Sequence, residues 1–209
     1  MTELVVDWCS HEAAAFACRR WHYSGGLPNQ KLAKFGVWED SRFVGAVVYG
    51  DGANAGMLKP YGLDYTEGAE LVRIALDKHE SPVSRIVAMT FPLLRRQSPG
   101  LRLLVSFADP DHGHHGGIYQ AGNWLYLGRT TPADEYLVNG QRMHGRALRS
   151  TRHTHPLGHV AAKNILDWTR QILDPNAFRV DGSSKHRYVM PLDRAMRRKI
   201  LPLALPFPK

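Results

Sequence analysis

Leu101-Arg102-Leu103-Leu104-Val105-Ser106-Phe107-Ala108-Asp109-Pro110-Asp111-His112-Gly113-His114-His115-Gly116-Gly117 is the stretch that decides the fold. Leu101–Phe107 is almost unbroken in its apolar character and short enough for a strand, which predicts a central position in a sheet. The polar loop after it lies where ligands gather in open α/β sheets, beyond the carboxyl end of a strand. Its two acids and three histidines within seven residues can supply oxygen and nitrogen ligands suited to iron or zinc. They can equally bond turn amides and face water, and their spacing matches no specific zinc signature. A helix beginning near Gly117 would offer free amides to an anion.

Outward from this segment, the pattern alternates between strand and helix periods. Residues 3–8 predict a first strand, and Ser10 caps a helix over about 11–20 with Ala13, Ala14, Phe16 and Ala17 on its packing face. Lys34–Glu39 and Phe43–Tyr49 form a hairpin around Asp40-Ser41-Arg42. Asp51–Thr66 is a long Gly/Asn/Pro/Tyr loop, and loops of that length are often functional. Glu70–Leu76 is a strand and Pro82–Arg95 a helix in spite of Pro92. Ile118–Trp124 begins a helix that ends near Gly122–Gly128. Tyr136–Val138 and Gln141–Leu148 are strands about the Asn139-Gly140 turn. Pro156–Leu173 carries a helix period, His186–Val189 a last strand, and Pro191–Ile200 a short basic helix. The order describes a mixed α/β layer, not repeated βα units. It forms a single domain over 1–200 with a proline-rich tail at 201–209.

Composition narrows the partners. The chain has 209 residues and a formal charge of +8, from 27 Lys and Arg against 19 Asp and Glu. That excess favours an acidic partner, nucleic acid above all. The two cysteines, Cys9 and Cys18, read as positions on one helix that cannot easily face each other, so a disulfide scaffold is not expected. The first twelve residues lack the apolar core of a signal peptide. No run approaches the length of a membrane span.

Four other segments carry chemistry. Trp21-His22-Tyr23-Ser24 offers a base or ligand in His22, a proton donor in Tyr23 and rings that stack on a flipped base, or else it packs a helix end. In Glu70-Leu71-Val72-Arg73, Glu70 and Val72 share one strand face and Leu71 and Arg73 the other. Arg73 there needs an anion, either a substrate phosphate or an internal carboxylate. Tyr119-Gln120-Ala121-Gly122-Asn123-Trp124 mixes rings with amides, which suits a base pocket or a packed surface helix. Arg142, Arg146, Arg149 and Arg152, with Lys185 and Arg187, are candidates for contacts to a DNA backbone. No Walker A or dinucleotide fingerprint is present.

The combination of Trp21-His22-Tyr23-Ser24, Glu70-Leu71-Val72-Arg73, Ser106-Phe107-Ala108-Asp109 leading into Gly116–Gly128, and Lys185-His186-Arg187-Tyr188-Val189-Met190-Pro191-Leu192 resembles the Mom proteins of Mu-like phages. The resemblance spans roughly 18–198. It implies a fold similar to the GNAT acetyltransferases, with a mostly antiparallel central sheet flanked by helices. It also implies conversion of adenine in double-stranded phage DNA to its N6-carbamoylmethyl derivative, which protects the genome from restriction. The place of action would be the cytoplasm of the bacterial host, with no membrane partner and a homodimer left open. The resemblance assigns catalysis to His22, Tyr23, Arg73, Ser106 and Asp109. It assigns substrate binding to Trp21, Tyr119, Asn123, Trp124 and Tyr188. Iron is the metal it suggests, with His22, Tyr23 and Asp109 as contacts. The donor is left open between acetyl-CoA and another molecule. One departure bears on it: the acetyltransferases carry a Gln/Arg-X-X-Gly-X-Gly/Ala loop after the fourth strand, and here Asp77-Lys78-His79-Glu80-Ser81-Pro82-Val83-Ser84-Arg85 has no glycine. The rivals are an acyl-CoA N-acetyltransferase acting on another amine and a non-enzymatic DNA-binding accessory protein.

Overall fold

The computed structural model describes residues 2–52 and 56–208. Residues 53–55 of the expected 51–66 loop, and Lys209 of the expected tail, lie outside the described residues. The chain forms two compact units. One holds the residues up to Ala108, His114–Gly128 and those from His186 on; the other holds Asp109–Gly113 and Arg129–Lys185.

The first unit is built on a seven-stranded sheet. Its strands are β1 (Leu4–Trp8), β2 (Leu32–Glu39), β3 (Arg42–Gly50), β4 (Gly68–Leu76), β5 (Leu103–Ala108), β6 (Leu125–Arg129) and, later in the chain, β10 (His186–Pro191). The order is β1-β2-β3-β4-β5-β10-β6, so the apolar β5 is interior, as its composition requires. The β2–β3 turn places Asp40 and Ser41 at φ 47° and 65°. Two positive φ values in a two-residue turn match the right-handed twist of the flanking strands. The β1–β2, β2–β3, β3–β4 and β5–β10 pairs are antiparallel. β4 and β5 are parallel, and their register runs only from Gly68↔Leu103 to Glu70↔Val105.

Helices cover both faces. Helix α1 (His11–Trp21) is capped by Ser10, whose Oγ accepts from the Ala13 amide at 3.1 Å. Its Ala14, Ala17 and Cys18 pack with Ala46, Val48 and Ala75. Small side chains on both surfaces let helix and sheet approach closely. Helix α2 (Val83–Gln97) runs through Pro92 and sinks Ile86, Val87 and Leu94 into the core that holds Phe35, Val47 and Leu104. The short α3 (Gly117–Ala121) follows the histidine loop. On the other face Leu103, Val105, Leu125, Leu127 and Val189 meet Met196 and Ile200. Those two belong to α6 (Arg194–Ile200), which Asp193 caps.

The second unit has a sheet ordered β8-β7-β9, from β7 (Asp134–Val138), β8 (Gln141–His144) and β9 (Phe178–Asp181). Two helices, α4 (Gly145–Thr154) and α5 (Ile165–Ile172), enclose a core of Tyr136, Val138, Leu148, Ile165, Trp168 and Ala177.

Several elements differ from the sequence reading. The strand expected over 141–148 stops at His144, whose Nδ1 accepts from the Arg146 amide at 3.0 Å and starts α4. The helix expected over 156–173 is confined to Ile165–Ile172. Arg152 takes the carbonyls of Gly158 and Val160, both at 3.1 Å, and holds that stretch out of the helix. Asn164 then caps the Asp167 amide at 2.9 Å. Leu125–Arg129 is a strand, not a trailing helix end. Cys9 lies ahead of α1 instead of on it, and both cysteines are free thiols.

Candidate active site

The site of interest in the first unit begins where β4 and β5 part. Past Glu70 and Val105 no ladder joins them, which leaves backbone groups to be satisfied in another way. Ser106 does this: its Oγ lies 2.9 Å from the Leu71 carbonyl oxygen and 2.8 Å from the Tyr119 hydroxyl. A serine has one proton and a carbonyl can only accept, so Ser106 donates to Leu71 and receives from Tyr119. Ser106 is 1% exposed. Its short polar side chain in an otherwise apolar strand thus spans the opening and orients the phenol above it.

Tyr119 stands on α3 and is set by its neighbours. Its ring is 5.2 Å from Trp124 and 5.1 Å from Tyr188. Tyr188, on β10 opposite Ser106, donates to the His115 carbonyl at 2.7 Å and accepts from Gln120 Nε2 at 3.1 Å. The loop can approach this closely only through Gly116, at φ 84°, where a Cβ would lie 2.2 Å from the Tyr188 ring. Burial pushes the Tyr119 phenol up to about 12, and the neighbouring Tyr23, Glu70 and Tyr188 add to this. Tyr119 is therefore a neutral proton donor at neutral pH. Glu70, half-buried at the last position of β4 that pairs with β5, acts on Tyr119 through its charge. The sequence reading placed Glu70 on a strand face and gave it no role. Its position at the end of the short parallel register is the signal that could have singled it out.

The Trp21-His22-Tyr23-Ser24 segment leaves the end of α1. His22 Nδ1 lies 2.9 Å from Ser24 Oγ and accepts from the Ser24 amide at 3.1 Å, so its proton sits on Nε2 unless the ring is charged. Tyr23 stacks on His22 with centroids 4.3 Å apart, lies 5.6 Å from the His114 ring, and is 56% exposed. Arg73 anchors this loop. Its Nε donates to the Gly26 carbonyl at 3.1 Å and its Nη1 to the Val72 carbonyl at 2.7 Å. The anion that a strand arginine seemed to need is replaced by backbone carbonyls. Trp21 packs edge-on to Phe16 at 5.4 Å, and Trp124 is 2% exposed within the core. Asn123 is exposed at φ 58°, a turn position.

In the second unit Asp109 caps a short turn, accepting from the Asp111 amide at 3.1 Å, and meets Lys185 Nζ at 2.9 Å. Burial pushes its carboxyl up, and Lys185 more than offsets this, so the net shift is downward. Arg142 pairs with Glu135, and Arg149 with Asp134 at 3.4 Å. Arg152 lies 5.9 Å over the Trp168 ring. Arg146 is exposed on α4. Arg149 and Arg152 also line a hollow of about 490 Å³ with His153, His155 and His159. In the first unit Arg187 turns inward and donates to the Leu127 carbonyl at 3.1 Å, while its Nε is buried with no hydrogen-bond partner among the described residues.

Among the described residues, no three His, Cys, Asp or Glu side chains come together in a way that could hold a metal ion. Asp109 is engaged by Lys185 and His22 Nδ1 by Ser24. No chemical step below passes through a metal.

The mostly antiparallel sheet, with the short parallel β4–β5 pair opening onto buried hydroxyls, defines a mixed α/β fold. The chain belongs to the Mom protein family, whose profile matches residues 3–209. The methylcarbamoylase mom of Escherichia phage Mu is 27% identical over 146 residues, which is 68% of this chain and 60% of that protein. The match thus spans less than two thirds of the relative's length. Among solved structures, the N-acyl amino acid synthase FeeM from uncultured soil microbes has a TM-score of 0.48 at 13% identity, covering 95% of each chain. The spermidine/spermine N-acetyltransferase SpeG from Vibrio cholerae has a TM-score of 0.47 at 9% identity, covering 94% of this chain and 96% of its own. Among the described residues no helix is long and apolar enough to cross a membrane.

Proposed function

We propose that this protein is a transferase that modifies adenine in double-stranded DNA at its exocyclic amine, adding the carbamoylmethyl group that the resemblance implies; the Mu relative is named a methylcarbamoylase. The observation that carries the reading is the Ser106–Tyr119 hydroxyl pair over the opening between β4 and β5, with the charge of Glu70 acting on Tyr119, in a chain of the Mom family. An exocyclic amine conjugated with a purine ring is a poor nucleophile, so it must lose a proton as it attacks. Glu70 is the acceptor for that proton. As the donor's bond to the transferred carbon breaks, neutral Tyr119 turns its proton from Ser106 to the leaving group. Tyr23 is exposed and aromatic, and it stacks on the base once extruded; extrusion costs a few kcal/mol. Arg73 keeps the Tyr23 loop in place. Arg146 and the hollow about Arg149 attract phosphates. The reaction takes place in the host cell, where the modified genome escapes restriction.

Nucleoside mass spectrometry of DNA from cells expressing the chain tests this directly. An adenosine heavier by one carbamoylmethyl group is expected from wild type. The peak should fall about a hundredfold or more for Tyr119→Phe, the lower end of the range for loss of a single acid–base group. Unmodified DNA with wild type, at normal expression of folded protein, overturns the proposal. Iron content of the purified protein, measured by mass spectrometry, tests separately whether that metal is needed.

A further inference from the structure

The turn from β4 into α2 is where a nucleotide-bearing donor would leave its diphosphate on this fold, because free amides at the start of a long helix attract anions. Here the two amides that lead into that helix are already taken. Glu39, at the end of β2, is 2% exposed and accepts from the amides of Glu80 and Ser81, both at 2.7 Å. Pro82 follows and has no amide proton, and it caps α2 without a side-chain bond. His79 Nδ1 is bound to the Ser81 carbonyl at 2.9 Å, and Arg42 Nη2 to the Lys78 carbonyl at 2.7 Å. The Glu80 carboxylate accepts from the Thr2 hydroxyl and adds a second negative charge.

We propose that Glu39 closes this turn to nucleotide diphosphates by occupying it with the chain's own carboxylate, so that the group donor is held without a diphosphate anchor there. An incoming diphosphate would have to displace a buried anion from two short hydrogen bonds and then sit beside Glu80. Burial pushes the Glu39 carboxyl up, but the bonds from Glu80 and Ser81 prevail and hold it below the usual range, so it is charged at neutral pH. The residues present therefore do not fit the diphosphate of acetyl-CoA. The inference concerns the donor and holds whichever amine is the acceptor, so it stands or falls apart from the adenine reading.

The test is a titration of the full chain with acetyl-CoA, and separately with inorganic pyrophosphate, followed by the backbone amide shifts of Glu80, Ser81 and Val83. Wild type is expected to show no saturable change at these amides. Saturable shifts there with either probe overturn the proposal; acetyl-CoA binding that leaves them unmoved does not. Glu39→Ala removes the carboxylate and is expected to gain pyrophosphate shifts at the same amides. If that variant folds and gains none, Glu39 is not what closes the turn, and the proposal fails. Should Glu39→Ala not fold, Glu39→Gln keeps the size and removes the charge. It is expected to bind pyrophosphate at least about tenfold more tightly than wild type, and equal binding overturns the assignment.

Discussion

Single side chains here act mostly by holding other groups in place. Gly116 admits the Tyr188 ring, and Tyr188 in turn fixes the loop carbonyl of His115. Gly116→Ala should cost about 1–3 kcal/mol from the left-handed backbone and the ring collision, read as a lower melting temperature, and should cut adenine modification. A melting temperature equal to wild type would show that the loop yields without strain. Two carboxyls give the pH dependence of stability. Glu39 and Asp109 both have lowered native values, the first through the Glu80 and Ser81 bonds and the second through Lys185, each overcoming burial. A group lowered in the native state binds more protons when unfolded. Its contribution is complete above the ordinary carboxyl range of about 3.9–4.3 and vanishes as the pH falls through the lowered native values. Denaturant midpoints should therefore be flat with respect to these groups near neutrality and fall steeply below about pH 4. A variant with Glu39→Gln should lose part of that acid slope.

At the scale of elements, the sequence was legible where pattern and local chemistry agreed. Ser10 announced α1, Asp40-Ser41 the first hairpin, and the apolar run at β5 its interior position. It misled where a distant partner overrode the period. The apolar spacing over 156–173 is helical throughout, yet Arg152 captures the Gly158 and Val160 carbonyls, and only the segment after Asn164 coils. Asn164→Ala should cost about 1 kcal/mol by removing the cap of α5. Far-ultraviolet circular dichroism during urea unfolding would measure it, and an unchanged midpoint would show that Trp168 packing alone fixes the helix start. The active-site segments were legible as chemistry but not as roles. Arg73 read as an anion partner because side-chain pattern says nothing of a loop carbonyl forty-seven residues away, and Gly26 is what it binds. Trp124 read as a stacking ring because burial by Tyr119 and Phe91 is a tertiary fact.

For the molecule as a whole, the chain leaves β6 and returns in β10, which are neighbours in the seven-stranded sheet. Between them lies nearly all of the second unit. Its two ends are tied together: the Thr130 amide donates to the Lys185 carbonyl at 2.8 Å, and the Lys185 amide to Thr130 Oγ1 at 2.9 Å. Topologically, then, residues 131–184 are the oversized tip of a connection that begins and ends at one point. Chain-closure entropy grows only slowly with length, so inserting or removing such a tip changes the cost of joining β6 to β10 by a few kcal/mol at most. Replacing 131–184 with a short glycine-containing turn should leave a first unit that folds cooperatively by itself, read as a single sharp thermal transition. A chain that stays unfolded would show that the sheet depends on its insert. The tied ends thus fix one point at which the connection can be cut short while the strand order of the sheet is kept.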